Sequence, residues 1–89
     1  MRLAAISAAH GRPAVTKAWA MHTASLDFDA VYVAVSEGDT ENYHTCVDHG
    51  FIAWYMPNDP LSAKFNSALS EAMVDGAERI AIVPSDDLI

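Results

Sequence analysis

Ala30-Val31-Tyr32-Val33-Ala34-Val35 decides the fold. The run is continuous and rich in β-branched residues, with no polar alternation. That is the pattern of a strand covered on both faces, as in parallel sheets. It ends in a turn cluster, Ser36-Glu37-Gly38-Asp39-Thr40. Upstream, Leu3 to Ala9 is a second apolar run, stopped by His10-Gly11. Arg12-Pro13 then opens a helix, because proline at the first helical position loses no hydrogen bond. Val15, Trp19, His22 and Leu26 recur at helical spacing and predict an inward stripe ending near Leu26-Asp27.

Downstream of the central strand, Glu41 to His49 reads as a short helix, with Asp39 or Thr40 as N-cap and Gly50 as stop. Phe51-Ile52-Ala53-Trp54-Tyr55 is a third strand. Asn58-Asp59-Pro60 starts a third helix, whose apolar stripe is Leu61, Phe65, Ala68, Leu69, Ala72 and Met73. Gly76 closes it, and Arg79-Ile80-Ala81-Ile82-Val83 is a fourth strand running into Pro84-Ser85-Asp86-Asp87. The order β-α-β-α-β-α-β predicts an α/β fold: a Rossmann-like parallel four-stranded sheet with helices on both faces and right-handed crossovers. Residues 1–89 form a single domain, with no internal repeat.

Composition narrows the function classes. The chain is 52% hydrophobic and 19% charged, as in globular proteins. Its net charge of −7 repels phosphate backbones, so nucleic acid is not an expected partner. No apolar run reaches the roughly 18–20 residues a membrane span needs. Met1 to Ile6 lacks a convincing cleavage site and reads as the start of a strand, and Cys46 is the only cysteine. A lone cysteine fits a reducing compartment, hence a cytoplasmic protein.

Ligands of open parallel sheets bind outside the carboxyl ends of the strands. The loops leaving those ends carry His10, Glu37, Asp39, Asp59, Asp86 and Asp87. Two hard carboxylates after a strand suit Mg²⁺ or Mn²⁺ shared with ligand phosphates. The same doublet also serves as an N-cap or turn. His44, Cys46 and His49 offer too few ligands at helical spacing for a closed zinc site and read as a partly buried structural cluster. Trp19, His22 and Trp54 read as packing residues, and Tyr55 as strand core near the rim.

Three segments together resemble the nucleotide-binding, N-terminal half of family-two glycosyltransferases of GT-A fold. They are Ile6-Ser7-Ala8-Ala9-His10-Gly11-Arg12-Pro13, Lys64-Phe65-Asn66-Ser67-Ala68-Leu69, and Ala77 to Ile89 with its Ser85-Asp86-Asp87 tip. The resemblance covers nearly all of the chain and implies a truncated GT-A, nucleotide-diphospho-sugar transferase-like fold. It implies a nucleotide-diphospho-sugar as ligand, held through Mg²⁺ or Mn²⁺ on Asp86 and Asp87. Ser7, His10 and Arg12 would line the base-binding loop, Glu37 or Asp39 would read the base, Lys64 would approach the diphosphate, and Ser85 would also contact the nucleotide. Pro84 stands where the family's motif has its first Asp. An alternative role for Lys64 is the solvated face of an amphipathic helix.

The acceptor half that completes such enzymes is absent from the chain, so the expectation is a glycosyltransferase-like domain incomplete by itself. Its fourth strand should lie near an open edge, which favours a homo-oligomer. The alternative function is a non-catalytic α/β interaction or oligomerisation module. A receiver-like signalling domain needs an acidic pair after the first strand, and Ala8-Ala9-His10 stands there instead.

Overall fold

The computed structural model describes residues 2–57 and 61–83, with the backbone alone for 61 and 62. Their elements are β1 (Leu3–Ala9), α1 (Pro13–Ala24), β2 (Ala30–Ser36), α2 (Thr40–Asp48), β3 (Ile52–Met56), α3 (Leu61–Val74) and β4 (Arg79–Ile82). The strands form one all-parallel sheet in the order β3-β2-β1-β4. The two most apolar strands, β1 and β2, therefore sit at the centre and are buried along almost their whole length. That is the Rossmann-like α/β architecture expected from the continuous apolar runs.

The two faces of the sheet are packed differently. On one face, α1 and α2 bring Trp19, Ala20 and Cys46 against Ala5, Ala9, Val31, Val33, Val35 and Phe51. Trp19 meets Phe51 edge-on, with centroids 5.6 Å apart, and its indole N–H donates to the Val83 carbonyl (3.1 Å). A large aromatic thus ties the first helix to the end of the last strand. On the other face, α3 alone lays Ala68 and Ala72 over Ala4, Ile6 and Tyr32. The small residues of α3 pack over larger ones, Ile6 and Tyr32, on the strands.

Two apolar stripes differ from those expected. In α1 the buried positions are Thr16, Trp19, Ala20 and Thr23. His22 and Leu26 are exposed. The threonines are compact enough to face the sheet, and this rotates the helix away from the purely apolar reading. In α3 the inward row is Lys64, Ala68 and Ala72, at successive i, i+4 positions. Leu69 and Met73 face outward, with Met73 62% exposed. The helix has turned so that its smallest side chains meet the strands.

Of the cluster on α2, Cys46 is fully buried, His44 is exposed, and His49 is half-buried with its Nδ1 2.8 Å from the Thr45 carbonyl. Among the described residues, no group of three His, Cys, Asp or Glu could hold a metal ion. None of the described helices is long and apolar enough to cross a membrane. Asn58, Asp59, Ser85, Asp86 and Asp87 lie outside the described residues.

Candidate functional site

Parallel strands of β1 and β2 end side by side, with Ala9 paired to Val35. The loops that follow therefore meet at one edge. From the β1–α1 loop come His10, Gly11 and Arg12, and from the β2–α2 loop come Glu37, Gly38 and Asp39. Gly11 and Arg12 both take left-handed backbone conformations, at φ 57° and 48°. Glycine does so freely, but arginine at this φ is strained by roughly 1–2 kcal/mol. The strained bend lets the chain turn sharply into Pro13, the first residue of α1.

Asp39 takes an unexpected role. It is the N-cap residue of α2, yet its side chain makes no capping hydrogen bond. Instead, Oδ2 accepts the backbone N–H of Gly11 at 2.7 Å, clasping one loop to the other. The same oxygen lies 3.9 Å from His10 Nδ1, a contact that becomes an ion pair when the imidazole is protonated. His10 Nδ1 also lies 2.8 Å from Ser36 Oγ, while 62% of the histidine side chain remains exposed. Its ring is held on one side and open to a ligand on the other.

Beneath this rim lies Lys64, which is fully buried. Its Nζ donates to the Ala9 carbonyl (3.1 Å) and to Ser36 Oγ. Burial pushes its pKa down, and the Asp39 carboxylate pulls it partly back up. A buried cation is tolerated where hydrogen-bond acceptors replace its water. Lys64 is therefore neither on a solvated helix face nor exposed at the rim. It joins the ends of β1 and β2 from below and carries its charge under the two loops.

The other expected residues divide. His10, Asp39 and Lys64 converge through Ser36. Arg12 is exposed at the rim. Glu37 is exposed as well, and its N–H donates to the Met56 carbonyl (3.0 Å), which extends the β2–β3 pairing by one step. Ser7 is buried in the middle of β1, on the strand position between core residues Ala5 and Ala9, and so belongs to the interior. Two residues of the network were not foreseen. Ser36 looked like the first residue of a turn but is the last of β2. Asn42 donates its Nδ2 proton to the Gly11 carbonyl at 2.8 Å and is almost completely buried. Its signal in the sequence was its place in the first turn of α2, facing the same loop that Asp39 grips.

Between the two loops lies a cavity of about 190 Å³, walled by Gly11 and Pro13 on one side and by Gly38 to Asn42 on the other. A larger groove of about 470 Å³ runs between α1 and α2, past Lys17, Thr45 and Asp48. The smaller cavity is the better candidate, because Asp39 and Asn42, the two side chains that bind the Gly11 backbone across the loops, line it. No family model matches the sequence, and no curated protein matches it at a significant level.

Proposed function

We propose that the chain is a glycosyltransferase-like domain that binds a nucleotide-diphospho-sugar at the carboxyl edge of its sheet. What supports the reading is the sheet order β3-β2-β1-β4 together with the clasped loops at its edge. This order brings the His10 and Asp39 loops over the ends of neighbouring strands, where open α/β sheets bind nucleotides. The donor sugar-nucleotide would span the β1 and β2 loops and extend toward the segment after β4.

Asp86 and Asp87 would hold Mg²⁺ or Mn²⁺ there. Carboxylate oxygens are suitable donors for these hard cations, which bridge to ligand phosphates. When bound, the metal neutralises the diphosphate and stabilises it as a leaving group. Among the described residues, His10 contributes a ring exposed at the rim, and Lys64 contributes charge from below. Lys64 acts as a positioning residue, since its ammonium is taken up by Ala9 and Ser36. In an enzyme built this way, the transfer of a hexosyl group would need an acceptor-binding part and its base.

Calorimetry with uridine and guanosine diphosphates, with and without Mn²⁺, tests the reading. The expected result is metal-dependent binding that Asp86→Ala abolishes. Absence of binding to either nucleotide, or binding indifferent to Asp86→Ala, would sink it.

A second reading, a non-catalytic oligomerisation module, is favoured by β4. Among the described residues this strand pairs only with β1, and Ile82 on it is 64% exposed. An edge strand bearing an apolar side chain is a template for another chain. Light scattering at high concentration should then show a dimer or larger species that Ile82→Lys dissociates. A monomer at all concentrations would discard this second reading.

A further inference from the structure

The free side of β4 is shaped to receive another strand. The N–H groups of Arg79 and Val83 donate to the Arg2 and Ile6 carbonyls (3.2 and 3.0 Å) on the β1 side. Successive residues of a strand turn their backbone polar groups to opposite sides. Ile80 and Ile82 therefore aim their N–H and C=O groups away from β1, where the sheet has no further strand among the described residues. Unpaired edge groups are a template for strand addition. The side chains agree with the backbone. Ile80 packs against the α3-side cluster, and Ile82, two residues on, lies on the same face and is exposed.

A second, independent observation comes from α3. Its inward row is Lys64, Ala68 and Ala72, and Ser67 on one flank accepts the Trp54 indole N–H of β3 (3.2 Å). The opposite flank faces the β4 side and carries Phe65, Leu69 and Met73 at i, i+4 spacing. Phe65 is half-buried, while Leu69 and Met73 are exposed. Neither this row nor Ile80-Ala81-Ile82 carries a charge, in a chain of net charge −7. Copies of so acidic a chain repel one another elsewhere, and a charge-free wall is where they can approach. The sequence of the wall also suits a second copy. Ile80-Ala81-Ile82 reads the same in both directions, so two antiparallel copies set isoleucine against isoleucine and alanine against alanine. A twofold interface requires such self-complementarity. Stable dimers remove about 800 Å² from each partner, roughly a sixth of this chain's 5041 Å². An edge strand beside the flank of a 14-residue helix, about 21 Å long, is a surface of that order.

We infer that two copies join β4 to β4, antiparallel, about a twofold axis at Ala81. The product is one eight-stranded sheet with the two α3 helices side by side across the seam. The N–H and C=O groups of Ile80 pair with those of the partner's Ile82, and Leu69 and Met73 pack against the same row of the partner. None of these residues lines the 190 Å³ cavity, so a ligand and a second copy do not compete. The inference rests on the reading of β4 as an oligomerisation edge and adds the partner, its orientation and the helix flank that completes the contact.

The test is sedimentation of the intact chain at rising concentration, beside Ile82→Lys, Leu69→Glu and Met73→Glu. The expected result is a monomer–dimer equilibrium that stops at the dimer and that Ile82→Lys dissociates. Leu69→Glu should weaken it by about tenfold or more, because the seam would bury an unpaired carboxylate. Met73 is more exposed than Leu69, so Met73→Glu serves if the first variant fails to fold, and it should weaken the dimer too. Ala81→Cys sets two thiols across the axis at a non-hydrogen-bonded pair, with Cα atoms about 4.5 Å apart, within disulfide reach. It should oxidise to a covalent dimer, while Met21→Cys, at an exposed position on α1, should not. Cys46 is buried and stays out of the reaction. A dimer that both glutamate variants spare, a dimer in which Ala81→Cys fails to cross-link, or growth beyond the dimer overturns this arrangement and leaves the oligomerisation reading standing. A monomer at every concentration overturns both.

Discussion

The two faces of the sheet solve the same packing problem with different materials. The α1/α2 face buries an aromatic pair, a cysteine and a row of valines. The α3 face buries Ile6 and Tyr32 beneath the alanines of α3, and at its carboxyl end a lysine. The first face is apolar throughout its buried cluster. On the second, the Lys64 ammonium reaches the ends of β1 and β2 under the two rim loops. The candidate cavity opens between the amino ends of α1 and α2, and the α3 face brings the Lys64 charge beneath the same loops.

Substitutions can break this arrangement, and the largest effect should come from the α1/α2 face. Trp19→Ala removes the Phe51 contact and the bond to Val83 together. It should cost about 3–5 kcal/mol by denaturant melts, enough to unfold much of a domain of this size. If the loss were below about 1 kcal/mol, the α1/α2 face would not be the main support.

Cys46 on the same face gives a pH signature. Burial raises its thiol pKa from 9.0 to about 12. Between those values the unfolded chain releases the proton and the folded chain keeps it. Stability should therefore fall with rising pH in that window, by about 1.4 kcal/mol per unit. Cys46→Ala should flatten this loss. An unchanged alkaline slope would mean that the thiol is not sealed from water.

The α3 face should show the opposite sign. Burial lowers the Lys64 pKa below its usual 10.5, so the unfolded state binds more protons in the window beneath that value. Stability contributed by this site should rise with pH there, and Lys64→Met should remove the rise while changing neutral-pH stability by about 1 kcal/mol or less. A Met variant with the same pH profile as the parent would contradict the buried-cation account.

Tyr32→Phe should have a smaller effect. The phenol is fully buried and donates to Asp75 Oδ2 at 2.7 Å, at the amino end of the sheet. Its loss should cost about 1 kcal/mol without altering nucleotide binding. A change in affinity would show that the two ends of the sheet are coupled.

The fold was legible because its strands are uniform. Ala30–Val35 and Leu3–Ala9 carry no polar alternation, so a parallel sheet covered on both sides was the consistent reading, and topology alone then brought His10 and Asp39 to one edge. The site's internal wiring was not legible. Lys64 looked solvent-facing or ligand-facing because lysine usually is. Its burial follows from alanines at 68 and 72, which bring α3 close enough to the sheet for a long side chain to run inward. Asp39 reads locally as a helix cap, and only the meeting of two loops distant in sequence shows that it grips Gly11. Ser36 and Asn42 escaped notice because each makes its bonds across such a gap.

The central claim is that ligand binds at the carboxyl ends of β1 and β2, between the two loops that leave them. An amide-resolved titration of the intact chain with uridine and guanosine diphosphates in Mg²⁺ tests this most directly. The largest shifts with one of them should fall on residues 10–12 and 38–42, with Lys17, Thr45 and Asp48 of the α1/α2 groove and the Tyr32–Asp75 end unmoved. Shifts confined to that groove or to that end, or no shifts at all, would contradict it.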